Sequence, residues 1–121
     1  MIQEEIVTCE VAKLAKEKGF DENCSYVYNN DRVLLGVKDV RCWHKVEFTA
    51  PTQSLLQRWL REKGVGEVEV RHWPETNKYP HHYGWEVKDN LGDLMSYSSK
   101  MFDTYELALE DALKYALENL I

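Results

Sequence analysis

The chain has 121 residues, of which 44% are apolar and 30% charged, the mixture of an ordinary folded protein and not of a disordered one. A chain of this length buries roughly two-thirds of its unfolded surface, so it needs neither a metal nor a disulfide to fold. Twenty-one Asp and Glu against fifteen Lys and Arg leave a net charge of −6, which sets it against phosphate backbones and anionic lipid.

The first helix is expected from about Cys9 to Lys18, with Thr8 as its cap, Val11, Leu14 and Ala15 as its apolar stripe and Gly19 as its stop. Phe20 is placed to fold back on Leu14. Two β-prone runs follow, Cys24–Tyr28 and Arg32–Val37, and Asn29-Asn30-Asp31 between them suits a hairpin turn. Lys45–Thr49 is a shorter strand, and Lys38–His44 carries no clear pattern. Pro51 is expected to open a second helix that buries Leu55, Leu56, Trp59 and Leu60 and stops at Gly64. Val65–His72 alternates as a strand, with Val68 and Val70 inward and Glu67, Glu69 and Arg71 outward. After a loop holding Pro74 and Pro80, Tyr83, Trp85 and Val87 alternate on another strand, and Asp89-Asn90-Leu91-Gly92 turns the chain into Asp93–Ser98. In the last helix Asp103 and Glu106 have capping-box spacing, Phe102 is placed to staple onto Leu107, and Ala108, Leu109, Ala112, Leu113, Ala116, Leu117 and Leu120 form one stripe.

The order α-β-β-(β)-α-β-β-β-α contains no parallel βαβ alternation. It implies one α+β domain over 1–121, a mainly antiparallel sheet with helices packed on it. The segment Ala50-Pro51-Thr52-Gln53-Ser54-Leu55-Leu56-Gln57-Arg58-Trp59-Leu60-Arg61-Glu62, the helix start Phe102–Glu110 and the stretch Ala12–Asp21 resemble, in that order, a family of small bacterial proteins of uncharacterised function found in prophages and mobile elements. The resemblance covers about half the chain and implies a cytoplasmic, phage-derived setting; it brings no activity with it.

Cys9, Cys24 and Cys42 form no Cys-x-x-Cys pair, and an odd number at wide spacing is no disulfide framework, so three free thiols are expected. The N-terminus has no basic region leading into an apolar stretch, and no apolar run approaches the ~20 residues of a membrane span. The cell interior is the expected compartment. Cys42, His44, His72, His81 and His82 fall in the central half but lack the paired short spacing of a structural zinc site. Cys42 and His44, flanked by Arg41 and Lys45, are the one candidate for thiolate chemistry, and a core cysteine explains Cys42 better. Glu67 and Glu69 lie roughly 7 Å apart on one strand face, where alternation with valines marks a solvated surface. No catalytic group, metal or cofactor is expected.

The charge is uneven. Residues 1–30 carry three basic and six acidic side chains, residues 31–80 nine and seven, and residues 81–121 three and eight. Arg58 and Arg61 on helix 52–63, joined by Arg71, offer a basic face for nucleic acid, although no partner helix precedes it as a helix-turn-helix requires. The sharper candidate is the segment from His72 to Trp85, where Trp73, Tyr79, His81 and His82 are expected to present a protein interface. The expected function is therefore a small non-catalytic module that binds a protein partner or itself. The alternative is a nucleic-acid-associated protein using the basic face of helix 52–63.

Overall fold

Three threonines start three helices. Thr8 caps α1 (Cys9–Glu17), Thr52 caps α2 (Gln53–Glu62) and Thr104 caps α3 (Tyr105–Asn119) in a computed structural model that describes residues 5–39, 46–73, 82–98 and 100–121 (Asp39, Val46, Glu47 and Trp73 by backbone alone). Each threonine hydroxyl accepts the N–H three residues on, from Val11 at 3.3 Å and from Leu55 and Leu107 at 3.1 Å, satisfying donors that a helix start leaves open. α1 and α2 end alike, with Phe20 N–H on Ala15 O at 2.9 Å and Val65 N–H on Leu60 O at 3.1 Å. Phe20 does more than return to its own helix: its ring meets Trp59 of α2 edge-on, centroids 5.4 Å apart.

Two helix starts differ from the sequence expectation. Pro51 precedes the cap of α2; its ring is buried and its carbonyl accepts the Val7 N–H at 3.0 Å, tying the N-terminal segment to the helix entry. Asp103 does not cap α3, because Phe102 is still bridged to Tyr83 by N–H···O bonds of 2.7 and 2.8 Å and the chain leaves the sheet only after it. The expected staple pair is split: Leu107 is exposed, while Phe102 packs against the core.

Among the described residues the strands form two antiparallel sheets of three, not one sheet. β1 (Tyr26–Asn29), β2 (Leu34–Gly36) and β3 (Val46–Thr49) pair in the order β2-β1-β3, and β4 (Glu67–Trp73), β5 (His82–Lys88) and β6 (Leu94–Tyr97) in the order β4-β5-β6. The class is α+β, with helices flanking antiparallel sheets in the expected element order. β2 is shorter than its β-prone run because the preceding turn takes Arg32 and Val33, and Val37 opens a single 3-10 turn to Asp39. β4 starts at Glu67 and not Val65, because Gly66 (φ +103°) passes so close to β5 that a Cβ there would lie 2.0 Å from the Lys88 carbonyl oxygen.

The β1–β2 and β5–β6 turns close the same way. Asn29 Oδ1 accepts the N–H groups of Asp31 at 2.9 Å and Val33 at 3.0 Å, and Asp89 Oδ1 those of Leu91 and Asp93, both at 2.9 Å. The fourth residue is left-handed in each, Gly92 at φ +87° and Arg32 at φ +64°. Glycine adopts that conformation freely; arginine does so against its Cβ.

α3 supplies the centre of the core. Ala108, Leu109, Ala112, Leu113, Ala116 and Leu117 are all buried, and the helix packs on β4, β5, α1 and α2. The small alanines allow this close approach to the sheet, where Val68, Trp85 and Val87 face it. α2 covers the β4 edge, and its Gln57 side chain donates to the Val68 carbonyl at 2.5 Å. Among the described residues no helix is long and apolar enough to cross a membrane.

Candidate interaction surface

The residues singled out in the sequence fall around the β4–β5 hairpin. Trp73 and His82 stand opposite each other in the register, at the end of the pairing, and His82 is half-buried. Tyr79, His81 and the Trp73 side chain lie outside the described residues. Beside this end the His72 and Tyr83 rings stack with centroids 4.6 Å apart, and Tyr83 meets Tyr105 of α3 edge-on at 6.5 Å. Tyr83 is thus half-buried, and Trp85 is core: its indole N–H donates to Asp111 Oδ2 at 2.8 Å and its ring packs on Tyr115.

The sequence reading missed the surface that runs up to this hairpin from β6. Among the described residues β6 is an edge strand, paired with β5 alone. Leu94, Met95 and Tyr97 are exposed on it, Tyr97 by 70%, and Leu91 in the preceding turn by 88%. The chain then follows β5, with Ser98 N–H on Trp85 O at 2.9 Å and Phe102 bridged to Tyr83, and exposes Met101 and Tyr105 on the way. A run of large apolar side chains therefore stays in solvent along one sheet edge.

The outer face of the same sheet is charged and internally paired. Arg71 donates to Glu86 through Nε at 2.8 Å and through its second nitrogen, and Lys88 bridges Glu86 at 3.4 Å and Glu69 at 3.5 Å. Burial pushes the Glu86 carboxyl up, but hydrogen bonds from Arg71 and Lys88 outweigh it and hold the group below its ordinary range. The other two arginines of the basic face are paired as well, Arg58 with Glu22 at 3.6 Å and Glu62 at 3.8 Å, and Arg61 with Glu67 at 2.8 Å. The structure places Arg58 and Arg61 on α2 and Arg71 on the sheet face, each beside its own carboxylate and not in one free patch.

Two further groups bear on chemistry. Cys24 lines a groove of about 760 Å³ with Ile6, Tyr26, Leu34, Leu55 and Arg58. Burial pushes its thiol pKa up, and its Sγ–H donates to Glu22 O at 3.5 Å, so the thiol is held in its protonated, weakly nucleophilic form. Cys9 and Cys24 are free thiols, while Cys42 and His44 lie outside the described residues. Glu110 of α3 accepts the Thr8 N–H through Oε1, and its Oε2 is buried without a hydrogen-bond partner among the described residues. Burial pushes its carboxyl above the ordinary range, against the pull of the Thr8 N–H. Among the described residues no group of three or more His, Cys, Asp or Glu converges on a point that could hold a metal.

Comparison with known proteins finds no matching family model, no similar curated protein and no similar solved structure.

Proposed function

We propose that the chain is a non-catalytic binding module that acts on a protein partner or on itself, through the strip that runs from β6 to the β4–β5 hairpin. The observation that carries this reading is the exposed apolar run Leu91, Leu94, Met95, Tyr97 and Met101 along a sheet edge that is unpaired among the described residues. Sheet edges are ordinarily blunted with lysine or proline; β6 has neither, and the irregularity in its register opposite Val87–Lys88 only shortens the pairing surface. A second copy is the occupant that the flanking charges favour. β6 lies between Asp93 and Lys100, so two copies running antiparallel bring unlike charges toward each other. In this reading Trp73 and Tyr79 serve the same interface as aromatic anchors, and His81 and His82 as polar contacts. The resemblance to prophage-borne proteins supports a cytoplasmic setting in a phage or mobile-element programme.

The nucleic-acid reading keeps its candidates, Arg58, Arg61 and Arg71, but each begins in an ion pair that a phosphate has to displace. The protein-binding reading is tested with Trp73→Ala combined with Tyr79→Ala. Light scattering is expected to show weaker association, with the urea midpoint almost unchanged. A loss of several kcal/mol (about the 3–5 kcal/mol of a core aromatic truncation) places the rings in the core and removes them from the interface.

A further inference from the structure

Most cations in the described residues have partners: Arg58, Arg61, Arg71, Lys88 and Lys114 have carboxylates, and Lys63 and Lys100 lie over the rings of Trp59 and Phe102. Lys13 and Arg32 have no ion pair among the described residues, and both line one pocket of about 400 Å³ together with Cys9, Glu10, Asn30 and Phe48. Glu10 does not neutralise them, because Lys114 holds its carboxylate at 2.9 Å. Phe48 is buried and gives the pocket an apolar wall; Asn30 adds an amide at the rim.

Arg32 is also the one described non-glycine residue with a positive φ, at the turn position that Gly92 fills in the second sheet. A strained arginine where glycine fits suggests that its side chain is needed there. We propose that this pocket binds a small phosphorylated molecule, with Lys13 and Arg32 on the phosphoryl oxygens and the organic part against Phe48. Two cations with no ion pair among the described residues match a phosphate dianion better than a single carboxylate, and the guanidinium fork suits two phosphoryl oxygens at once. The site lies between α1 and the first sheet and is independent of the β6 strip.

The test is an NMR titration of the wild-type chain with phenyl phosphate, inorganic phosphate and sulfate, following the Arg32 side chain and the amides of Asn30 to Val33. Phenyl phosphate is expected to give saturable shifts at lower concentration than inorganic phosphate. Arg32→Gly and Lys13→Gln are each expected to weaken it about tenfold or more, while Lys38→Gln, a cation outside the pocket, leaves it unchanged. Arg32→Gly relieves the turn, so it is expected to unfold at no lower urea concentration than the wild type. Absence of saturable shifts, retention of binding by Arg32→Gly, or equal weakening by Lys38→Gln overturns the site. Equal affinity for phenyl phosphate and inorganic phosphate overturns the organic ligand.

Discussion

Beside the β1–β2 turn two cations, Lys13 and Arg32, have no ion pair among the described residues, whereas beside the second sheet Arg71, Lys88 and Lys100 are all engaged and it is Leu91, Leu94 and Tyr97 that stay in solvent. The turns themselves share one hydrogen-bond pattern, built on Asn29 in one sheet and Asp89 in the other. What differs is the pairing around them. Where carboxylates and cations neutralise each other on a sheet face, the remaining exposed surface is apolar and suited to another protein. Where cations have no partner, the surface is suited to an anion. One backbone device thus serves two surfaces, and the side chains around it decide the chemistry.

The contrast breaks most sharply at two glycines of the second sheet that share a backbone conformation and differ in surroundings. Gly66→Ala adds a Cβ 2.0 Å from the Lys88 carbonyl at φ +103°, so β4 and β5 must separate. A loss of about 3 kcal/mol or more in urea unfolding is expected. Gly92→Ala at φ +87° meets nothing within 4 Å and is expected to lose only the conformational part, about 1 kcal/mol. Equal losses at the two positions would mean that the approach of Gly66 to β5 contributes nothing.

A smaller effect separates the two halves by pH. Glu110 anchors Thr8 in the N-terminal half, and its folded-state pKa is raised by burial. The stability tied to its proton is therefore full below the ordinary carboxylate pKa and is lost as the pH rises through the raised value. Glu86 in the second sheet has the opposite sign. Its pKa is lowered by Arg71 and Lys88, so its contribution is present above the ordinary value and lost as the pH falls through the lowered one. Glu110→Gln keeps an acceptor for the Thr8 N–H and is expected to raise the urea midpoint at neutral pH while leaving the acid limb intact. Glu86→Gln is expected to lower the urea midpoint at neutral pH and to flatten the acid limb, because the lost contribution is already absent at low pH. A Glu110→Gln chain less stable than wild type at neutral pH contradicts the burial argument.

The helices were legible in the sequence because an apolar stripe at helical spacing is a local signal. Of the three threonine caps, each accepting the N–H three residues on, only Thr8 was anticipated; Thr52 and Thr104 stood behind the more prominent Pro51 and Asp103. The strands were legible in type and the α+β class with them. Their ends were not, since Gly66 ends beside the Lys88 carbonyl and Phe102 stays extended because of Tyr83, partners about twenty residues away along the chain. The division into two sheets was hidden for the same reason. Of the basic face, only the Arg58–Glu62 pair at helical spacing could be anticipated; Glu22, Glu67 and Glu86 reach their arginines through the fold. Trp85 is buried as its strand alternation implies and Tyr83 is half-buried, while the strip on β6 depends on an edge that no local pattern marks.

Amide hydrogen exchange of β6, followed as the chain is taken from dilute to concentrated solution, tests the proposed binding strip most directly. Leu94 to Tyr97 and Met101 are expected to gain protection as light scattering reports association, and Tyr97→Lys is expected to abolish both changes together. Association that leaves the β6 amides as exposed as in dilute solution, or that persists undiminished in Tyr97→Lys, contradicts the assignment of the β6 edge as the surface that binds.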